Sequence, residues 1–583
     1  QKNILRFGET NMALNLASPG IVVREVDLTI GRVDATSGSI GAIVAPFTKG
    51  PVEEAQLIES EEDLLQTFGQ PYSVDKHYEY WMVASSYLAY GGTLQVIRAD
   101  DNGLKNAYVG ILTTGIKIKS DTHYNQLGYD DNTITGVTIA AKTPGSYANG
   151  IRVSIIDAKA DQVLTFTNPI GISTVGVGIT QSAEGRTVAT SAGTKTLDGY
   201  IKGIVTGVGT DANNFPATVE VKVLQHVSAA GTVTNVDYAQ GGVYNFLTTK
   251  TVSIGGTTGN VAGMASTSIT AATDWFESQN IELTTKDANG NNIKLEWDSL
   301  ADKPGTSSYA AARGGRFDEV HVVVIDDKGE ITGNAGTVLE KHLSLSKAKD
   351  AEYSVGSTAY WRKYLATNSQ YIYGGSTPAG ITTSGFTDGT ATAFGNLDTD
   401  GGWDQNADGV NFGLSGVFTG SLASGTNYGG KTDYTTSGAL NSGIDDLITG
   451  YELFSNTEEI EVDFILMGAA HHVKEQSQAI AEKVIQVAET RKDAVAFISP
   501  NRTCFLNDSS AGTVTVNNID TITNNVVDFY GPITSTTFGV FDSGYKYMFD
   551  RFNNTFRYVP LNGDIAGTCA RTDIEQFPWF SPA

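Results

Sequence analysis

The sequence predicts a multidomain α/β (mixed α+β) fold into which Gly/Thr-rich β domains are inserted. Three observations carry this. The chain has 583 residues, which at roughly 100–200 residues per domain amounts to about three to five domains. Residues 456–500 read strand, helix, strand, the pattern of a parallel crossover unit. Residues 158–275 are instead rich in Gly, Thr, Val and Asn, with alternating runs such as ATVEVKVLQHV, and 374–445 are rich in Gly, Ser, Thr and Asp and poorly patterned. With 65 glycines and 40% apolar residues, the composition suits buried cores built from short strands and turns, not a helical bundle.

Residues 1–35 read as an N-terminal extension carrying one strand. QKNILRFGETN precedes Met12 and reads as an extension ahead of a natural start. From Glu25 to Ile30 polar and apolar residues alternate, and Val22, Val26, Leu28 and Ile30 share one side, interrupted by Arg24. A strand here, before any hairpin partner, either pairs with distant chain or is offered to another chain.

Residues 36–157 read as an α/β unit. GSIGAIVAPFTKGP is an apolar strand. SEEDLLQTFGQP is a short helix with acids in its first turn and Gly69 at its end. In DKHYEYWMVASSYLAYGG, Tyr80, Val83, Ala84, Tyr87 and Leu88 recur at helical spacing, and TLQVIRAD follows as a strand. Residues 158–275 are an inserted β domain. Residues 276–373 continue the α/β domain, with DEVHVVVIDDKGEIT as strand, Asp-Lys-Gly turn and strand. Residues 374–445 are a second insertion or long loop. Residues 446–583 hold EEIEVDFILMG as strand, a helix over 471–490 with Ile480, Val484, Val487 and Ala488 on one face, and DAVAFISP as strand. TPGSYANGIRVSIID (143–157) weakly echoes KPGTSSYAAARGGRFDEVHVVVID (303–326), as if marking the flanks of the first insertion.

Formal charge is −25, with 39 scattered Lys and Arg, so nucleic acid is not an expected partner. No stretch approaches the ~18 apolar residues of a membrane helix, and no signal peptide is visible. Cys504 and Cys569 are the two cysteines, which implies no disulfide framework and suits a reducing compartment.

Each chemical motif has a plainer reading beside it. GTNYGGKT (425–432) matches a phosphate-binding loop through Gly425, Gly430, Lys431 and Thr432, but DYTTSGALNSG after it has no helical period. DQNADG (404–409) matches the first half of a calcium loop through Asp404, Asn406, Asp408 and Gly409. Asp398 and Asp400 lie upstream, yet position twelve is Ser415 rather than the closing Glu. His471 and His472 are adjacent, so on a helix they point apart. Gly-x-Ser-x-Gly, His-Glu-x-x-His and Cys-x-x-Cys are absent. No catalytic residue, cofactor or firm metal ligand is expected, and the chain does not read as an enzyme.

Several stretches resemble the tail sheath proteins of contractile-tailed phages, the T-even-like branch above all. They are SPGIVVREVDLT, GPVEEAQLI, FGQPYSVDKHYEYWMVASSYLAYGGTLQVIRA, EVHVVVIDDKGEITGNAGTVLEKHLSLSKAKDA and YKYMFDRFNNTFRYVPLNGDIAGTCARTDIEQFPWFSPA. The resemblance covers 17–157, 300–373 and 456–583 and leaves the two insertions outside. It implies a virion protein, assembled in the host cytoplasm, that stacks in hexameric rings around the tail tube protein. It also implies contacts with baseplate and tail terminator proteins, and contraction that drives the tube through the host envelope. The helix-covered core is then built from the N- and C-terminal parts, with the insertions facing outward. The strand at 18–30, with Val22, Val26, Leu28 and Ile30, becomes an arm that adds to a neighbour's sheet. The family continues past SPA, so the chain as given is expected to be monomeric alone, with residues 1–20 disordered. The alternatives are a sheath of a secretion or bacteriocin system, or a surface glycan-binding protein, which would need aromatic clusters in 158–275, yet that span carries few aromatics: Phe166, Tyr200, Phe215, Tyr238, Tyr244, Phe246 and Trp275.

Overall fold

The structure is a computed structural model. It describes residues 39–73, 76–166, 175–190, 193–210, 216–236, 242–254, 267–287, 289–378, 403–428, 443–471, 473–508, 514–576 and 579–582. The predicted arm at 18–30 lies outside them.

A six-stranded sheet joins the two ends of the chain. Its order is Ala55–Ile58, Thr93–Arg98, Ile40–Ala45, Phe464–Leu466, Val495–Ile498, Gly539–Phe541. All neighbours are parallel except the first pair. The seam is the pairing of Gly41 with Phe464. Strand IGAIVA is apolar along its length because helices cover both faces. Helix Tyr78–Leu88 lies on one face, where a Cβ at Gly41 would meet Tyr87. Helix Ile444–Leu453 lies on the other, where a Cβ at Gly450 would meet Val44. Helix Lys474–Arg491 makes the predicted parallel crossover, with Ile480, Val484, Val487 and Ala488 buried. Gly69 ends helix Glu61–Phe68 at φ 79°, a conformation that favours glycine, and donates its N–H to Leu65.

The strands of 36–157 divide between two bodies. Those before residue 100 join the six-stranded sheet. Ile151–Asp157 instead sits in a four-stranded sheet ordered Thr337–Ser346, Glu319–Asp326, Ile151–Asp157, Val417–Ser421. The two echo segments thus end in neighbouring antiparallel strands, Val320 opposite Asp157. Two expectations need correction here. The strand returning from Asp326 begins at Thr337, not directly after the Asp327-Lys328-Gly329 turn. The Asp326 carboxylate accepts the N–H groups of Glu330, Ile331 and Thr332 at 3.0, 3.0 and 2.7 Å, which folds them into a turn. The span 374–445 is also not wholly loop, because Val417–Ser421 completes the sheet. At its Gly420 a Cβ would stand 2.6 Å from a Val109 methyl, so any larger residue needs that side chain to shift.

Residues 162–274 form a seven-stranded antiparallel sheet in which Tyr200–Thr210 also pairs with Pro216–Val227. That extra pairing closes six of the strands into a barrel and removes their edges. Leu164, Ile179, Ile201, Val219 and Val221 fill it. The barrel leaves and returns at one point, Gln162 opposite Asp274. At its root the buried Asp161 carboxylate holds Lys222 at 3.0 Å and Lys303 at 2.8 Å.

Candidate assembly surfaces

The block YKYMFDRFNNTFRYVPLNGDIAGTCARTD folds as a hairpin, Tyr545–Asp550 and Thr555–Pro560, followed by helix Asn562–Glu575. Alternation sends its side chains two ways. Inward, Asp550 pairs with Arg557 at 2.8 Å, and Lys546 pairs with Asp564 at 2.7 Å. Outward stand Tyr547, Phe549 and Phe556, which are 60%, 46% and 57% exposed. Tyr547 and Phe556 stack across the strands at 5.2 Å. Among the described residues this hairpin has no third strand. Two strands alone are marginally stable, and a one-sided aromatic face is the mark of a surface that meets a partner.

The helix explains the rest of the block. Gly563 and Gly567 lie four apart and let it approach Val83 and Tyr90, where Cβ atoms would stand 2.5 Å from their nearest neighbours. Asn562 is buried and donates to the Gly468 carbonyl and the Ser499 hydroxyl, both at 2.8 Å. Ser499 in turn donates to Asp542. Burial pushes the Asp542 carboxyl up to about 7, against the pull of its hydrogen bonds. This network ties the carboxyl ends of three sheet strands to the helix.

The chemical candidates are placed apart from this region. Asp404, at φ 68°, accepts from the Tyr360 hydroxyl and faces Arg362 at 3.4 Å. Asn406 and Asp408 are exposed, and Ser415 gives its N–H to Asp157 at 2.6 Å. Among the described residues no group of three His, Cys, Asp or Glu is arranged to hold a metal. Gly425 is bound through its backbone to Asn149, while Gly430, Lys431 and Thr432 lie outside the described residues. His471 is buried and accepts from Val473 at 3.2 Å. Asp398, Asp400 and His472 are outside. Burial pushes the Cys504 thiol up to about 11 and raises that of Cys569, the reverse of an activated nucleophile. Of the barrel-region aromatics, Phe166, Phe246 and Trp275 are buried and Tyr200 is exposed. Phe215 and Tyr238 are outside.

Sequence reasoning missed the outward aromatic face. The signal was there: Tyr547, Phe549, Phe556 and Tyr558 alternate on both sides of an Asn-Asn turn.

No family model matches the chain. It does match the tail sheath protein of Vibrio phage KVP40, at 26% identity over 98% of this chain and 76% of that protein. It matches that of Enterobacteria phage T4 at 24%, over 98% and 75%. The chain is similar to the phage tail sheath proteins. A third sheath relative, from Salmonella phage ViI, is 22% identical over 95% and 70%. The sheath alignments run over nearly the whole chain, so they are not confined to 17–157, 300–373 and 456–583 as the motifs suggested. Among solved structures, a sheath tail protein from Listeria innocua aligns with TM-score 0.30 and 8% identity over 91% of this chain and 70% of that one. Another from Desulfitobacterium hafniense gives 0.13 and 13% over 43% and 38%.

Proposed function

We propose that this chain is the structural subunit of a contractile phage tail sheath, polymerising as stacked hexameric rings around the tail tube. Contraction of the stack drives the tube through the host envelope. The observation that carries this reading is similarity to three phage tail sheath proteins along almost the entire chain. The fold supports it. One core sheet is built from segments far apart in the chain, Ile40–Arg98 and Phe464–Phe541. The strand at 18–30, with Val22, Val26, Leu28 and Ile30 as its apolar face, serves as an arm that adds to a neighbour's sheet, because backbone hydrogen bonds persist while side-chain contacts shift. The barrel at 162–274 stands as an outward module. The tube, baseplate and tail terminator proteins are the other partners, and the chain acts without catalysis or cofactor. Immunogold labelling of virions with antibodies against residues 162–274 tests this. Label along the length of the tail is expected, and label confined to heads or absent from tails overturns it.

A further inference from the structure

Two surface patches lie on opposite faces of the core sheet. The first is the aromatic face of the hairpin on the side of helix Tyr78–Leu88. Its turn carries Arg551, whose side chain is 67% exposed and makes a surface ion pair with Glu61 at 2.9 Å. Such exposed pairs are worth little and exchange readily. In a chain of net charge −25, Arg551 is the exposed positive charge of this hairpin, since Lys546 and Arg557 are held inward by Asp564 and Asp550. The second patch is a cleft of about 630 Å³ on the side of helix Ile444–Leu453, beside the outer edge of strand Ala55–Ile58, which has no partner strand among the described residues. Leu57, Ile97 and Leu453 line it, with Leu57 48% and Leu453 37% exposed. Glu54 and Glu459 stand at it with no basic partner among the described residues, whereas Glu53 and Glu452 are already paired with Lys119 and Lys483.

We propose that these patches meet between copies of this chain: the Arg551-tipped aromatic hairpin of one copy seats in the acid-rimmed cleft of the next. The inference rests on the self-assembly reading above and names a surface for it. Aromatic and Arg side chains are the residues that anchor interfaces, and the cleft supplies apolar contact ringed by opposite charge. Two copies this acidic repel each other, so a contact between them must bring local charge of opposite sign together. Each copy offers one patch of each kind on opposite faces. The contact is therefore heterologous, and a heterologous contact repeated from copy to copy closes a ring or extends a helix.

Sedimentation velocity on the full-length gene product at ~0.1 M salt, where charge is not fully screened, decides it with two exposed charge reversals. Arg551→Glu gives a copy with an acidic tip and an acidic cleft. Glu459→Lys gives a copy with a basic rim facing a basic tip. Each alone is expected to weaken association roughly tenfold or more, because like charges are juxtaposed. Their equimolar mixture restores the wild-type constant, since the acidic tip of one fits the basic cleft of the other. If both variants associate as the wild type does, the contact is wrong while self-assembly stands. If wild type, variants and mixture all stay monomeric up to about 1 mM, where even weak contacts half-saturate, the contact is overturned. The sheath reading is then judged separately by microscopy of the assembled gene product.

Discussion

Arg502 places a guanidinium nitrogen 2.6 Å from the Glu79 carboxylate, across 423 residues of chain, and both side chains are buried. The pair fastens helix Tyr78–Leu88 to the C-terminal part of the core. Removing one partner leaves a buried charge unpaired, which costs about 3–5 kcal/mol. Arg502→Ala should lower the urea midpoint of the core accordingly. The double change Arg502→Met with Glu79→Leu should recover most of the loss, because a packed apolar pair replaces a buried ionic one at little cost. A loss below about 1 kcal/mol in Arg502→Ala would mean that water reaches the site.

Gly563→Ala should destabilise the core by roughly 1–3 kcal/mol, the usual penalty of overpacking. The added methyl would stand 2.5 Å from the Val83 carbonyl oxygen, which is backbone and cannot swing away. Thermal unfolding of the two proteins checks this, and an unchanged midpoint would show that the helix shifts freely.

Asp542 makes core stability depend on pH. Its folded value is about 7, against the ordinary 3.8. Between those values the unfolded chain has lost the proton and the folded one keeps it. Folding stability is therefore greatest below about pH 4 as far as this group is concerned, falls as pH rises, and levels off above 7. The slope in that window approaches roughly 1.4 kcal/mol per pH unit. Asp542→Asn, which stays neutral, should flatten it and be the more stable protein at pH 8. Parallel slopes in both proteins would contradict this.

Residues 162–274 should be removable. Gln162 and Asp274 are opposite one another in paired strands, so a short Gly/Ser linker can bridge them. Trp275, Trp297 and Ile281 remain to cover Ile156 and Val323. The shortened chain should be soluble and unfold cooperatively, and aggregation of several linker lengths would count against it.

Calcium should bind at Asp404, Asn406 and Asp408 no more tightly than a Kd on the order of 10⁻⁴ to 10⁻³ M, because no closing Glu is present and Asp404 is held by Tyr360 and Arg362. A micromolar calorimetric titration that is lost in Asp404→Ala would refute this.

Legibility in the sequence followed periodicity. Helix Tyr78–Leu88 was readable because Tyr80, Val83, Ala84, Tyr87 and Leu88 repeat on one face. The crossover at 464–498 was readable because its helix has buried residues at regular spacing. The seam between Gly41 and Phe464 was not, since no local pattern encodes a pairing between such distant segments. Strand Val417–Ser421 escaped because it holds a glycine packed against Val109 and has no alternation. The turn after Asp326 escaped because one carboxylate, not turn composition, bends it. The aromatic assembly face was legible as alternation, whereas its exposure depended on which side of the hairpin the core took.

The most direct test of the account is negative-stain microscopy of the full-length gene product expressed in bacteria, with and without residues 1–30. The account predicts rings or hollow tubes for the full-length product. It predicts dispersed particles with a nearly unchanged thermal midpoint when the arm carrying Val22, Val26, Leu28 and Ile30 is removed. Dispersed particles from the full-length product, across salt and concentration, would contradict the claim that this chain builds a sheath.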